Sequence, residues 1–322
     1  MAAGLGTRLR PLTYEVPKPM VPVVNRPVME HILELLQKQG FTEVIANLHW
    51  FPETIRERFG DGSSLGIDLT YSYEEELLGT AGGVRNVAEF FGSDPFLVMA
   101  GDALTDIDLR ALRAAHESHG GMATLAVKRV ANVSEFGVVI AGSDGRIQGF
   151  QEKPDPAEAL SDLANCMMYV LEPEIFDYFP DEAAVDFALD VFPALLENDV
   201  PFHVHAIDGY WNDVGSLPEY LLGNLEALEG AVSVEPRGSL IDPVGHEGAV
   251  ETGEPGVQGP VLAGEGCDLD PKARLDGPLV IGDGCSIAAG ARVKHAVLLP
   301  GSQVPPGAIV AGAIFGTAGS LA

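Results

Sequence analysis

The stretch GLGTRLRPLTYEVPKPM, residues 4–20, sets small, flexible residues ahead of Thr7, Arg8 and Arg10, then mounts Lys18 between Pro17 and Pro19. Glycines let backbone N–H groups turn toward an anion, and the Arg8 guanidinium adds a planar donor fork. Flanking prolines stiffen the backbone that carries the Lys18 ammonium. Two common phosphate loops do not match. Gly4-Leu5-Gly6-Thr7-Arg8 lacks the third glycine of a dinucleotide fingerprint, and it lacks the Gly-Lys-Ser/Thr of a P-loop. A second Lys-Pro pair stands in EKP, residues 152–154. By itself each Lys-Pro pair reads equally well as an ordinary turn.

Outward from this loop, residues 27 to about 229 alternate between helical and strand patterns. PVMEHILELLQKQG (27–40) has Pro27 early, apolar residues at helical spacing, and Gly40 as a stop. EVIANL (43–48) predicts a strand, FPETIRERFG (51–60) a helix, and IDLTYSY (67–73) an alternating strand. TAGGVRNVAEFFG (80–92) predicts a helix, FLVMAGD (96–102) a buried strand ending in Gly-Asp, and IDLRALRAAHESHG (107–120) a further helix. Such alternation implies βαβ units and a mostly parallel sheet with helices on both faces, a Rossmann-like arrangement. Residues 122–171 turn strand-rich, which implies a mixed sheet or an inserted antiparallel layer. Helical runs resume at 173–179, 186–197 and 216–229.

Near residue 230 the composition shifts to Gly, Pro, Val and Glu without helical periodicity, which reads as a connector over 231–258. Beyond it Leu269, Leu275, Ile281, Ile287 and Val293 fall six apart, and Val304 and Val310 resume the step after a one-residue slip. That period is the mark of hexapeptide repeats in a parallel β-helix. The expected organisation is a catalytic domain at 1–230, the connector, and a left-handed parallel β-helix at 259–322.

The 322 residues carry a net charge of −28. A surface this acidic repels nucleic acid and anionic lipid, so neither is an expected partner. It also repels phosphates, so a phosphate substrate needs local cations or a metal ion. Only six lysines are present, and two of them are Lys18 and Lys153. Cys166, Cys267 and Cys285 stand at no metal-ligand or disulfide spacing, which fits a reducing cytoplasm. No apolar run reaches 18 residues, so no transmembrane helix is expected. His116 with His119, and His203 with His205, have no added carboxylate or cysteine at ligand spacing and read as core or surface histidines.

Residues 4–20 as a whole resemble the signature of the sugar-1-phosphate nucleotidyltransferases, G-x-G-T-R-x-x-P-x-T-x-x-x-P-K-P. The likeness continues through LGTAGG (78–83), GD (101–102), EKP (152–154), NCMMYVL (165–171) and WNDVG (211–215), in the family's order. It covers essentially the whole chain. The resemblance implies transfer of a nucleoside monophosphate from an NTP to a sugar 1-phosphate, with release of pyrophosphate. In-line attack by the sugar phosphate needs no covalent protein intermediate, so catalysis is positioning and charge neutralisation.

Roles carry over residue by residue. Ala3, Gly4, Gly6, Thr7, Gly79 and Thr80 are expected to bind the nucleotide, with Arg8 on the triphosphate. Lys18 is expected near the α-phosphate or between the two substrates, and Asp102 and Asp213 on Mg²⁺. Lys153 is expected on the sugar 1-phosphate, with Gly137, Glu152 and Asn165 on sugar hydroxyls. Without the resemblance Asp102 would read as a cap or turn residue, and Asp213 as part of a turn. In WNDVGSLPEY, Ser216 replaces the family's threonine, while Tyr220 keeps its spacing, so the helix start is expected to survive.

Glu74 stands five residues before Gly79, where thymidylyl- and uridylyltransferases of the family carry a glutamine. An amide offers a donor and an acceptor, which suits a pyrimidine. A carboxylate offers only acceptors, which suits the two donors on guanine's edge. E-x-E-x-L-G-T-A-G also resembles the mannose-1-phosphate guanylyltransferase branch, so GTP and mannose 1-phosphate are the favoured substrates. The alternatives are a glucose-1-phosphate thymidylyl- or uridylyltransferase and a non-catalytic regulatory homologue. A homo-oligomer is expected, with the β-helix serving either oligomer contacts or regulation. In this family a short apolar strand normally runs into the AAG of the loop. A start upstream of Met1 is therefore expected, and an extended chain should be more stable and more active.

Overall fold

A computed structural model describes residues 1–243 and 254–321, so part of the expected connector lies outside the described residues. Contacts along the chain define two compact units. One contains Met1–Leu5, Ile32–Ala103 and Ile107–Trp211. The other contains Gly6–His31, Leu104–Asp106 and the described part of Asn212–Ala322.

The first unit is mixed α/β. Glu43–Leu48 and Asp68–Tyr73 pair in parallel, with Leu48 opposite Tyr73. A larger sheet runs in the order His203–Ala206, Ala123–Arg129, Leu163–Leu171, Gly137–Ala141, Ile147–Glu152, and Phe96–Met99 also pairs with Leu163–Leu171. The mostly parallel expectation does not extend to this sheet, where residues 122–171 form the antiparallel layer that their strand-rich pattern also implied. Only the outer pair, His203–Ala206 with Ala123–Arg129, is parallel in this sheet, and its other pairings are antiparallel. The physical reason is the connections. The strands between 123 and 171 follow one another without intervening helices, and short links return a strand antiparallel.

Helix boundaries follow their caps. Val28–Gln39 begins after Pro27 and ends at Gly40, whose φ is 91°. In Leu109–His119 the Asp108 side chain accepts from the Ala111 N–H, and Gly120 closes the helix at φ 61°. The helix expected over 80–92 is split into Gly79–Arg85 and Ala88–Phe91. The run expected over 186–197 opens as a π-turn, Phe187–Val191, before the α-helix Phe192–Glu197. Pro193 has no N–H to give to the carbonyl four residues earlier, and the wider turn precedes it.

The core between sheet and helices is aromatic. Phe96 stacks between Phe91 and Phe176, at 3.9 and 5.7 Å between centroids, and Tyr169 meets Phe187 and Phe192 edge-on. These pairs add to ordinary apolar burial. Beside this core lie the histidines. His116 is buried between Thr124 Oγ1 at 3.0 Å and Glu172 Oε1 at 3.1 Å. His119 stacks on His203, with centroids 4.5 Å apart and planes 13° off parallel.

Burial first, and His119 second, hold the His203 imidazole below its ordinary range. Below about pH 6.5 the unfolded chain therefore takes up a proton at this residue more readily than the folded one, and stability falls with acidification. The melting temperature is expected to drop more between pH 7 and pH 5 in the wild type than in His203→Gln, measured by circular dichroism. Equal drops would remove His203 from the account.

In the second unit the C-terminal strands pair in three ladders. One contains Val261–Ala263, Leu279–Ile281, Val297–Leu298 and Ile314–Gly316, all parallel. A second contains Gly256–Gln258, Arg274–Asp276, Arg292–Lys294 and Ile309–Ala311. The third contains Asp268–Leu269, Ser286–Ile287 and Gln303–Val304. Leu275 lies beside Val293, but Val293 lies beside Val310. The slip in the six-residue period is thus a coil shortened by one residue. Leu275, Ile281, Ile287, Val293 and Val304 are all buried together, each within 1% of full burial. The first ladder is closed at its ends by antiparallel strands, Ser239–Ile241 on Val261–Ala263 and Gly319–Ser320 on Ile314–Gly316.

Helix Leu217–Leu228 survives as expected, with the Ser216 hydroxyl accepting from the Glu219 N–H. It anchors the segment that carries the second half of the opening signature. Tyr220 donates to the Pro22 carbonyl at 2.7 Å, and the Asn224 Oδ1 accepts from the Val24 N–H at 2.9 Å. Asn25 donates to the carbonyl of Ile281 at 2.9 Å.

Candidate active site

The opening loop divides between the two units at Leu5–Gly6. In the second unit Gly6 sits at φ 60° and leads into the short turn Thr7–Leu9. A Cβ there would lie 2.9 Å from the Lys18 Cβ and 3.0 Å from the Thr13 Cγ2, so only glycine suits the position. Thr13 Oγ1 donates to the Gly6 carbonyl at 2.7 Å. The Lys18 ammonium donates to the Asp213 backbone carbonyl at 2.7 Å. An Arg8 guanidinium nitrogen stands 3.6 Å from Asp213 Oδ2, with the Arg8 side chain 55% exposed. Arg8, Lys18 and Asp213, far apart in sequence, are thus brought together.

The Asp213 turn is built locally. Asn212 Oδ1 accepts from Val214 N–H at 2.7 Å, its amide donates to Glu219, and Asp213 Oδ1 accepts from Gly215 N–H at 3.1 Å. Val214 is held at φ 47°. A non-glycine residue in that region is strained, and such strain gathers at functional turns. Sequence reading passed over Asn212, a buried polar residue directly before the acid.

In the first unit Asp102 follows the strand Phe96–Met99 by one short turn. Residues 1–3 lie alongside. The Gly101 N–H donates to the Met1 carbonyl at 2.7 Å, the Met1 ammonium donates to the Met99 carbonyl at 2.6 Å, and the Ala2 N–H donates to Asn47 Oδ1 at 2.7 Å.

Gly79 opens helix Gly79–Arg85 at φ 79°, and a Cβ on it would lie 2.4 Å from the Val185 carbonyl oxygen. The Thr80 hydroxyl donates to Asp186 Oδ2 at 2.7 Å and accepts from the Phe187 N–H at 3.0 Å. It is therefore engaged within the protein. Glu74 also faces inward. It is 3% exposed, its Oε1 accepts from the Asn47 amide at 2.8 Å, and its Oε2 accepts from the Leu78 N–H at 3.1 Å. Its carboxylate is bound by the protein itself rather than presented to a base. Asn47 was not singled out by sequence reading. Its signal was an amide set in an otherwise apolar strand end.

Gly137 lies opposite Glu152 on the edge pair of the larger sheet, and a Cβ at Gly137 would lie 3.0 Å from Glu152 Oε2. Lys153, at φ 44°, places its ammonium 3.4 Å from Glu152 Oε1, and both side chains are half exposed. Asn165 lies on the neighbouring strand Leu163–Leu171, opposite Val127. Its amide donates to the Tyr169 hydroxyl at 3.0 Å, and its Oδ1 accepts from the Met167 N–H at 3.0 Å. A bulge between Asn165 and Tyr169 sets this geometry.

The second unit thus has a glycine-shaped turn with two cations beside an acid, and the first has a glycine-shaped helix entrance and a Glu-Lys pair, groups chemically suited to phosphates and hydroxyls. Residues 1–230 match the nucleotidyl transferase family, and the chain belongs to it, among the sugar-1-phosphate nucleotidyltransferases. It is 37% identical to a UTP–glucose-1-phosphate uridylyltransferase from Synechocystis over 98% of this chain and 86% of that protein. It is 34% identical to a mannose-1-phosphate guanylyltransferase from Mycobacterium tuberculosis over 85% of this chain and 77% of that protein. The fold resembles that of HddC from Yersinia pseudotuberculosis, solved with GMP-PN. The TM-score is 0.60 and the identity 24%, over 69% of this chain and 95% of that one. No described helix is long and apolar enough to cross a membrane.

Proposed function

We propose that this chain transfers a nucleoside monophosphate from an NTP to a sugar 1-phosphate, releasing pyrophosphate. The observation that carries the reading is the cluster of Arg8, Lys18 and Asp213, together with family membership. On this reading Ala3, Gly4, Gly6 and Thr7 cradle the triphosphate through backbone N–H groups. Gly79 lets the chain approach the nucleotide closely, with Thr80 beside it. Arg8 neutralises charge on the departing pyrophosphate, and Lys18 does so near the α-phosphorus. Lys153 holds the sugar 1-phosphate, while Gly137, Glu152 and Asn165 meet sugar hydroxyls. Asp102 and Asp213 would hold Mg²⁺, which neutralises phosphate charge when bound. Carboxylate oxygens are the hard donors Mg²⁺ takes, and one or two of them suffice beside phosphate oxygens. The coiled C-terminal strands are read as a left-handed β-helix over 259–322, joined to a catalytic domain at 1–230 and serving homo-oligomer contacts.

GTP with mannose 1-phosphate is the first substrate pair, on the E-x-E-x-L-G-T-A-G motif and the guanylyltransferase relatives. UTP with glucose 1-phosphate is the second, favoured by the uridylyltransferase relative, which is 37% identical where the guanylyltransferase relatives are 31–34% identical. The test is pyrophosphate release with four NTPs against several sugar 1-phosphates. Turnover is expected with GTP and mannose 1-phosphate, to stop with EDTA and to return with excess Mg²⁺. Turnover with UTP and glucose 1-phosphate alone would establish the second pair. No turnover with any pair would overturn the enzyme reading.

A further inference from the structure

Glu74 and Asn47 are buried polar groups without a part in the proposed reaction. Each is satisfied in one way only. Asn47 Oδ1 accepts from the Ala2 N–H at 2.7 Å, and this fixes the amide so that its nitrogen faces Glu74. Glu74 Oε1 accepts from that nitrogen at 2.8 Å, and Oε2 accepts from the Leu78 N–H at 3.1 Å. The line from Ala2 to Leu78 therefore contains three hydrogen bonds, with an amide and a carboxylate as its middle members. Gly83 completes it. A Cβ at that position would lie 2.4 Å from Glu74 Oε1 and 2.7 Å from the Asn47 amide nitrogen, so the relay exists only because residue 83 has no side chain. The ends of the two parallel strands hold the pair in place. The Glu74 N–H donates to the Leu48 carbonyl at 2.8 Å, and the Glu74 carbonyl meets His49 Nδ1 at 2.9 Å.

We propose that Asn47 and Glu74 are positioning residues that lock the start of the opening loop to the entrance of helix Gly79–Arg85, so that two nucleotide-binding segments are presented as one preformed surface. The inference rests on the nucleotidyltransferase reading for what that surface binds. It assigns Glu74 to organising the loop rather than reading the base. Preformed loops lower the ordering cost of binding, so the relay acts on NTP affinity.

The chemistry of the pair supplies its own test. Glu74→Gln keeps the shape but has one acceptor where two are needed, so an N–H₂ group must face a donor. Asn47→Asp sets two carboxylate oxygens against each other. In the double variant Asn47→Asp, Glu74→Gln, the new carboxylate still accepts from Ala2. It also accepts from the new amide, whose oxygen accepts from Leu78. All three hydrogen bonds are restored, with the middle one reversed.

Each single variant is expected to raise the KM for NTP roughly tenfold to a hundredfold, with the KM for sugar 1-phosphate unchanged. Amide exchange in residues 1–5 and 75–80, measured without substrate, is expected to quicken in both singles. The double variant is expected to return both readouts toward wild type. A double variant no better than the singles, or singles with unchanged exchange, would overturn the relay. So would a loss at Glu74→Gln alone together with a switch in preferred base, which is the behaviour of a base reader. Because exchange is read without turnover, a failure of the enzyme reading would be seen in the substrate screen and would leave the exchange result to decide the relay.

Discussion

Asp102→Asn is expected to lower kcat by roughly a hundredfold to a thousandfold, with the melting temperature little changed. The size follows from what a single preorganised electrostatic group contributes to a charged transition state. The amide keeps the shape of the acid but loses its charge and one acceptor oxygen, which weakens a hard-cation site. The backbone of the turn is held by Gly101, whose N–H donates to Met1, and that bond does not involve the side chain. Asp102 is partly exposed, so its replacement leaves no core cavity. Steady-state kinetics and a thermal melt on the same sample separate the two effects. Full activity in Asp102→Asn would remove this residue from the proposed metal site. A fall in both activity and melting temperature would make it a structural acid.

Gly79→Ala is expected to destabilise the first unit by about 2–5 kcal/mol, through two effects at one atom. The residue sits at φ 79°, where a Cβ is strained, and that Cβ would stand 2.4 Å from the carbonyl oxygen of Val185. The neighbouring chain is not free to withdraw. The Val185 carbonyl accepts from the N–H groups of Ala81 and Gly82 at 2.9 and 3.0 Å, and the Val185 N–H donates to Leu78 at 2.8 Å. A fall of roughly 5–15 °C in melting temperature is the expected reading. A melt within a degree of wild type would show that residues 78–82 and 185 can move apart together.

Some of the molecule was legible in its sequence because the rule involved is local. Pro27 and Gly40 bracket a helix, Asp108 caps another, and the six-residue apolar step places Leu275, Ile281 and Ile287 on the inside of three successive strands, one in each ladder. The sheet direction was less legible. Hydrophobic alternation marks a strand at 163–171 but does not say that it pairs antiparallel with 96–99, 123–129 and 137–141. At the site, Arg8, Lys18 and Asp213 were named in advance and do come together. What could not be read was the internal demand on polar groups. Thr80 and Glu74 have partners inside the protein that their own residue types do not announce. Their hydrogen bonds to Asp186, Phe187, Asn47 and Leu78 come from residues that are distant in sequence or hidden in apolar runs.

The antiparallel strands at either end of one coil ladder bear on how the molecule avoids unwanted neighbours. A stack of parallel strands is an open-ended template, since its last member presents the same row of N–H and C=O groups as every other. Ser239–Ile241 and Gly319–Ser320 reverse direction and are only three and two residues long. They cover that row with strands that run against the coil direction, so the parallel register stops there. This ladder is therefore finite by construction, and its regular interior can repeat without inviting polymerisation along that face.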